Sequence, residues 1–151
     1  MSEHVPPLVD RVPERMRGRP TWLISRAYAR SSGLLQEGFA QGGDGLRSYH
    51  YRLLAALDEW GPASQAALGR GTGIDRSDVT AALVELEERG LVRRDVNQAD
   101  RRRNVVSITA AGTRHLELLD TVLDEIQERL LAPLSDDERR QFLTLMRRIA
   151  S

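Results

Sequence analysis

Apolar residues recur along this chain in three patterns, and each predicts a different kind of element. Between residues 74 and 91, Val79, Ala82, Leu83 and Leu86 fall at i, i+3, i+4 and i+7, one face of a helix. Asp75 stands at its N-cap, with Ile74 before it as a staple against the first turn. Gly90 ends it as a C′ residue, and Leu91 supplies the contact that follows. The opposite face carries Arg76, Ser77, Thr80, Ala81 and Val84. In the second pattern, residues 91–96 and 104–109 are rich in β-branched side chains and predict two strands. Between them lies Asn97-Gln98-Ala99-Asp100-Arg101-Arg102-Arg103, a turn too charged to bury. Such a hairpin is marginal alone in water and must lean on helices. In the third, Leu116, Leu119, Leu123, Ile126 and Leu130 alternate by three and four, a heptad-type seam on a helix over 110–131 that Thr109 starts.

The remaining elements follow from caps and breaks. Thr21 caps a helix over 22–40, with Trp22, Leu23, Tyr28, Leu34, Leu35 and Phe39 as apolar members and Gly33 and Gly38 as weak points. Residues 41–45 break it, and a second helix over 46–60 ends at Gly61-Pro62. Ser64 caps a short third helix, and Gly73 lies in the turn before the helix already described. After Pro133, Ser135 and Glu138 form a capping box for the last helix, whose buried face is Phe142, Leu145, Met146 and Ile149. Residues 1–20 hold four prolines among arginines and are expected as an arm.

Together these elements predict a mainly α fold with a small β-hairpin wing, a winged helix-turn-helix. A helix of about 20 residues spans about 30 Å, more than so small a domain needs for itself. The seam at Leu116, Leu119, Leu123, Ile126 and Leu130 is therefore expected to meet a second copy, with Phe142, Leu145 and Ile149 beside it. One domain is expected over 21–151, with residues 21–45 and 110–151 as dimerisation helices and 46–109 as the DNA-binding unit.

Composition narrows the chemistry. The 22 basic residues equal the 22 acidic ones, so any affinity for a polyanion must come from a local basic face. All the basic residues are arginine, which excludes Schiff-base lysines and the phosphate-loop lysine. With no cysteine, disulfides, thiolate zinc sites and thiol switches are excluded. His4, His50 and His115 show no metal-ligand spacing, so no metal or cofactor is expected, and no nucleophile–base arrangement suggests an enzyme. No apolar run approaches a membrane span, and the chain is expected in the cytoplasm.

A groove-entering helix reads bases with its N-terminal residues, which makes Arg76, Ser77, Thr80 and Ala81 candidate contacts to double-stranded DNA. Ser64 and Gln65, at the start of the preceding helix, suit a phosphate. Arg101, Arg102 and Arg103 at the wing tip suit a narrow minor groove. Arg93 and Arg94 lie on alternate faces of a strand, one to pair and one to face the DNA backbone; Arg94 is included among the candidates.

The run Ile74-Asp75-Arg76-Ser77, then 86–94, then Asp100-Arg101-Arg102-Arg103 and Ile108-Thr109-Ala110-Ala111-Gly112 resembles the MarR family of winged-helix transcription regulators over roughly residues 21–150. The resemblance implies a homodimeric DNA-binding protein whose affinity is often changed by small, frequently aromatic or phenolic ligands; a repressor that binds an inverted-repeat operator and is relieved by such a ligand is expected.

 

Where many members carry an arginine in mid-helix this chain has Ala81 and Ala82, so base reading falls to Arg76, Ser77, Thr80 and the wing. The redox-sensing branch of that family works through cysteine, which this chain lacks. Ligands in the resembled family sit near the first two helices. Trp22, Arg26, Tyr28, Tyr49, His50 and Tyr51 are the candidates there, as aromatic faces with cationic or imidazole donors; the plainer reading makes them core aromatics with polar tips. A winged-helix protein-interaction module without DNA binding is the alternative.

Overall fold

Side-chain caps hold several of the helix starts. Ser64 Oγ accepts from the Ala67 N–H at 3.2 Å, and Thr109 Oγ1 from the Gly112 N–H at 3.1 Å. Ser135 Oγ accepts from the Glu138 N–H at 3.2 Å while the Glu138 carboxylate accepts from the Ser135 N–H at 2.9 Å. This last reciprocal pair holds the Glu138 carboxyl below its ordinary pKa. In the computed structural model, which describes residues 11–96, 99–100 and 104–151, the elements run α1 (Glu14–Arg17), α2 (Pro20–Gly42), α3 (Ser48–Trp60), α4 (Gln65–Thr72), α5 (Arg76–Glu88), β1 (Val92–Asp95), β2 (Val105–Ile108), α6 (Ala110–Leu131) and α7 (Asp136–Ala150). The expected winged helix-turn-helix is present, with two differences at the N-terminal end. The expected arm contains α1, and α2 begins at Pro20 rather than after a Thr21 cap. Proline suits a first helical position, where no N–H partner is needed.

The chain divides at Gly33 into a short N-terminal unit and a larger one that begins at Leu34. In the N-terminal unit, Arg19 Nε donates to the Arg15 carbonyl at 2.7 Å and Arg17 Nη2 to the Val12 carbonyl at 3.3 Å.

The core of the larger unit lies under the helix-turn-helix. Leu53, Leu54, Leu57, Leu68, Val79, Leu83, Leu86 and Leu119 are buried in it. Burying each such side chain contributes about 1.5–3 kcal/mol. The hairpin is antiparallel, with Val92 opposite Ile108 and Asp95 opposite Val105. It leans on the core through Val92 and Val106. Ala63, between α3 and α4, adds a bridge that periodicity does not predict: its N–H donates to the Val106 carbonyl at 3.0 Å, and its carbonyl accepts from the Val106 N–H at 2.8 Å. That bridge fixes the hairpin to the start of the helix-turn-helix.

The seam on α6 corrects an expectation. Leu116, Leu119 and Ile126 are buried within the chain, and Leu123 and Leu130 pack against the same core. Within the chain, α3 and the end of α2 cover that face. Gly38 and Gly42 make that approach possible, since a Cβ on Gly38 would lie 2.5 Å from Ile126 Cδ1 and one on Gly42 2.9 Å from Val122 Cγ2. Gly38, read from sequence as a weak point, is thus a packing surface. Arg129 pairs with Glu37 across the same contact at 3.4 Å. The last helix differs from it. Expected to bury Phe142, Leu145, Met146 and Ile149, α7 has no buried residue. Phe142, Leu143, Leu145 and Ile149 are all exposed. Among the described residues, no helix is long and apolar enough to cross a membrane.

Candidate nucleic-acid interface

The helix-turn-helix is built from α4 and α5. Leu68 and Val79 close its inner side, both with no exposed surface. Between the helices Gly73 adopts φ 68°, the left-handed region where glycine is unstrained, and its N–H donates to the Gly69 carbonyl at 3.1 Å. At the far end of α5, Gly90 has φ 70°. Its N–H donates to the Glu87 carbonyl and the Leu91 N–H to the Leu86 carbonyl, each at 2.9 Å. This pair of bonds is the Schellman stop, with Leu91 buried beneath it.

The same turn is tied to the start of α6. The Thr109 N–H donates to the Leu91 carbonyl at 3.0 Å, and its hydroxyl donates to the Gly90 carbonyl at 2.6 Å. Gly112 lies so close that any Cβ there would collide with the Leu91 carbonyl. The Thr109-x-x-Gly112 sequence is therefore a clamp that aims the end of α5 and the root of the wing.

Asp75 occupies the N-cap of α5, but its side chain makes no capping bond. Beyond it Arg76, Ser77, Thr80 and Ala81 are all exposed on one face, with Val84 one turn further on. Thr80 is held by two bonds. Its hydroxyl donates to the Arg76 carbonyl at 2.9 Å and accepts from Gln65 Nε2. Gln65 and Thr80, expected as separate contacts, are thus one unit that joins the start of α4 to the reading face of α5. Ser64, beside Gln65, caps α4.

On the wing, Arg94 is turned back onto α5, its Nε 2.9 Å from Glu87 Oε2. Arg93 is the outward one, 70% exposed and 3.5 Å from Asp95. The geometry places Arg93 rather than Arg94 on the open side. Arg101, Arg102 and Arg103 lie outside the described residues.

His50 also corrects an expectation. It is fully buried, its Nδ1 accepts from the Arg47 N–H at 2.9 Å, and its Nε2 lies 3.0 Å from Glu85 Oε2. With Nδ1 an acceptor, Nε2 carries the proton and donates to Glu85. No ring nitrogen is left for a ligand. Burial holds its pKa below the ordinary value against the pull of Glu85, while Arg47 and Arg89 lower it further. The imidazole therefore joins the start of α3 to the last turn of α5. Its position three residues after the N-cap, where a glutamate or glutamine often reaches back, is the signal that could have shown this.

The other candidate ligand residues fall in two places. In the N-terminal unit, the Arg26 guanidinium lies 5.8 Å from the Trp22 ring centroid, and Tyr28 is 73% exposed. In the larger unit, Arg47 lies 5.4 Å from the half-buried Tyr49 ring. The Tyr51 hydroxyl donates to Asp120 Oδ1 at 2.8 Å, and burial together with that carboxylate pushes its pKa up to about 12. A cavity of about 250 Å³ lies between the end of α2 and α6, lined by Gly38, Gln41, Gly42, Val122, Glu125, Ile126 and Arg129. None of the six candidates lines it.

Comparison with known proteins agrees with this geometry. Residues 44–103 match the MarR family. The chain is 29% identical over 141 residues to the HTH-type transcriptional repressor NicR of Pseudomonas putida, covering 93% of this chain and 88% of that one. A probable transcriptional regulator from Pseudomonas aeruginosa is 34% identical, with a TM-score of 0.75 over 89% of this chain and 99% of that one. BpsR of Bordetella bronchiseptica, whose DNA binding is regulated by 6-hydroxynicotinic acid, is 26% identical, with a TM-score of 0.76 over 85% and 96%. This chain belongs to the MarR family of winged-helix transcription regulators, which are DNA-binding proteins and not enzymes.

Proposed function

We propose that the protein is a homodimeric repressor that binds an inverted-repeat operator and releases it on binding a small aromatic acid. The observation that carries the reading is the exposed face of α5, where Arg76, Ser77, Thr80 and Ala81 stand clear of a fully buried opposite face. Two such helices about one turn of duplex apart would meet successive major grooves. Arg76 and Ser77 would contact bases, Ser64 and Gln65 a phosphate, and Arg101, Arg102 and Arg103 the flanking minor groove. Arg93 is better placed than Arg94 to reach the DNA backbone.

A second copy is the partner proposed for the apolar face of α7, since Phe142, Leu145 and Ile149 stay exposed among the described residues. Leu116, Leu119 and Ile126 are already covered within their own chain. The effector reading is supported by the regulation of BpsR by a hydroxylated aromatic carboxylate. In this chain, Trp22 with Arg26 offers a ring face and a guanidinium to such a molecule. Repression is supported by the likeness to NicR, and a regulator of this kind works in the cytoplasm.

The test is a mobility-shift and protection experiment with duplex from upstream of the protein's own gene. Protection of two half-sites related by a dyad is expected, with affinity falling steeply as salt rises. Arg76→Ala is expected to weaken binding by roughly tenfold or more, the loss of a base contact worth about 1–3 kcal/mol. A protein that shifts no duplex at low salt would leave the interaction-module reading in its place.

A further inference from the structure

We propose that the reading face of α5 selects thymine by its 5-methyl group, through Thr80, Ala81 and Val84. The inference rests on the DNA-binding reading above and names what part of the duplex that face recognises. A threonine in a major groove has two ways to act: its hydroxyl can bond a base edge, or its methyl can pack on a thymine. Here the hydroxyl is already engaged. Its proton goes to the Arg76 carbonyl at 2.9 Å, and its oxygen accepts from Gln65 Nε2. Both bonds are made within the chain and use the hydroxyl proton and one of the two oxygen lone pairs, so the methyl is the group of Thr80 that no bond engages.

Its neighbours extend the same surface. Ala81 is exposed and carries only a methyl. Val84, one turn from Thr80, is 43% exposed. Neither side chain can donate or accept a hydrogen bond. The face therefore changes along its length, from Arg76 and Ser77 at the N-terminal end to an apolar strip beyond them. In a major groove the base-edge group that matches such a strip is the thymine methyl; guanine, cytosine and adenine present donors and acceptors there. Gln65 has a positioning role, since its bond to the Thr80 hydroxyl fixes the rotamer and with it the place of the methyl.

The experiment starts from duplexes that the full-length protein enriches from a random pool. Each thymine of the enriched site is then replaced, one at a time, by deoxyuridine, which removes the 5-methyl and leaves every hydrogen-bonding group. At one or two positions in each half-site, uracil is expected to weaken binding by about fourfold, the effect of one buried methyl group. Thr80→Ser, which keeps the hydroxyl, is expected to abolish the thymine-to-uracil ratio at one of those positions. Thr80→Val, which keeps the methyl, should preserve the ratio. Circular dichroism shows whether each variant is folded. An enriched duplex bound equally well with thymine or uracil throughout overturns this inference and leaves the DNA-binding reading standing. So does a Thr80→Ser protein with an unchanged ratio. A pool in which nothing is enriched overturns both.

Discussion

Helices α6 and α7 carry equally regular apolar stripes, yet one stripe is closed within the chain and the other is open. On α6, Leu119 has no exposed surface and Ile126 only 3%. On α7, Ile149 is 64% exposed. The period of a stripe states that a face needs cover and says nothing about what supplies it. The answer lies in the opposing surface. Gly38 and Gly42, four residues apart on α2, let Ile126 and Val122 come close, and α3 covers the other end of the seam. Among the described residues, nothing similar faces α7. A helix's length, which suggested an intersubunit role for α6, is a weaker guide than small residues at i and i+4 on another helix.

The largest effect that separates the two stripes is at their centres. Leu119→Ala should destabilise the fold by about 2–5 kcal/mol, the cost of a core cavity. Urea unfolding at several protein concentrations should show the loss at each of them. Leu145→Glu should instead leave each subunit folded and shift the protein toward monomer in sedimentation. If Leu119→Ala merely dissociated subunits without destabilising them, the assignment of α6 to the core would be wrong.

These two helices also mark how much the sequence discloses. Helix positions, the Gly90 stop and the Thr109 and Ser135 caps were legible because each depends on neighbours within a turn. The exposed face of α5 was legible for the same reason, as the complement of a buried stripe. What could not be read depends on distant residues. Ala63 pairs with Val106, Gln65 with Thr80, His50 with Glu85 and Arg94 with Glu87. Each is a contact that only the tertiary fold creates, and in the last three a polar group taken for a ligand or DNA contact has a partner inside the chain.

Gly38→Ala tests the covering surface itself. The new Cβ would meet Ile126 at 2.5 Å, and such overpacking costs about 1–3 kcal/mol, more than the roughly 1 kcal/mol that alanine gains over glycine in a helix. Ile126→Val in the same molecule should recover part of the loss, and thermal unfolding of the four proteins of the cycle measures the coupling. Additive effects would mean that α2 and Ile126 do not press on each other.

The buried side of the reading helix has a pH dependence that the open stripe of α7 lacks. Burial lowers the His50 pKa in the folded chain, so the unfolded chain binds the extra proton more readily. Stability is therefore fully present above the unfolded value near 6.5 and is lost as pH falls below it, by at most about 1.4 kcal/mol per pH unit for one proton. Protonation would also remove the Nδ1 acceptor from the Arg47 N–H. In His50→Gln this part of the slope should vanish between pH 7 and 5. A slope unchanged by the substitution would assign it to other groups.

The smallest effect reverses the sign of the Gly38 experiment. Gly33 lies on the same helix, but a Cβ there would meet nothing within 4 Å. Gly33→Ala therefore gains helix propensity with no clash to oppose it, and should stabilise the protein by up to about 1 kcal/mol. Both substitutions add one methyl to one helix and change the unfolded chain alike, so their difference isolates what faces each position. A rise in melting temperature for Gly33→Ala beside a fall for Gly38→Ala would locate the covering surface at the C-terminal part of α2. Equal shifts would mean that propensity alone governs both sites, and the argument from close approach at Gly38 would fail.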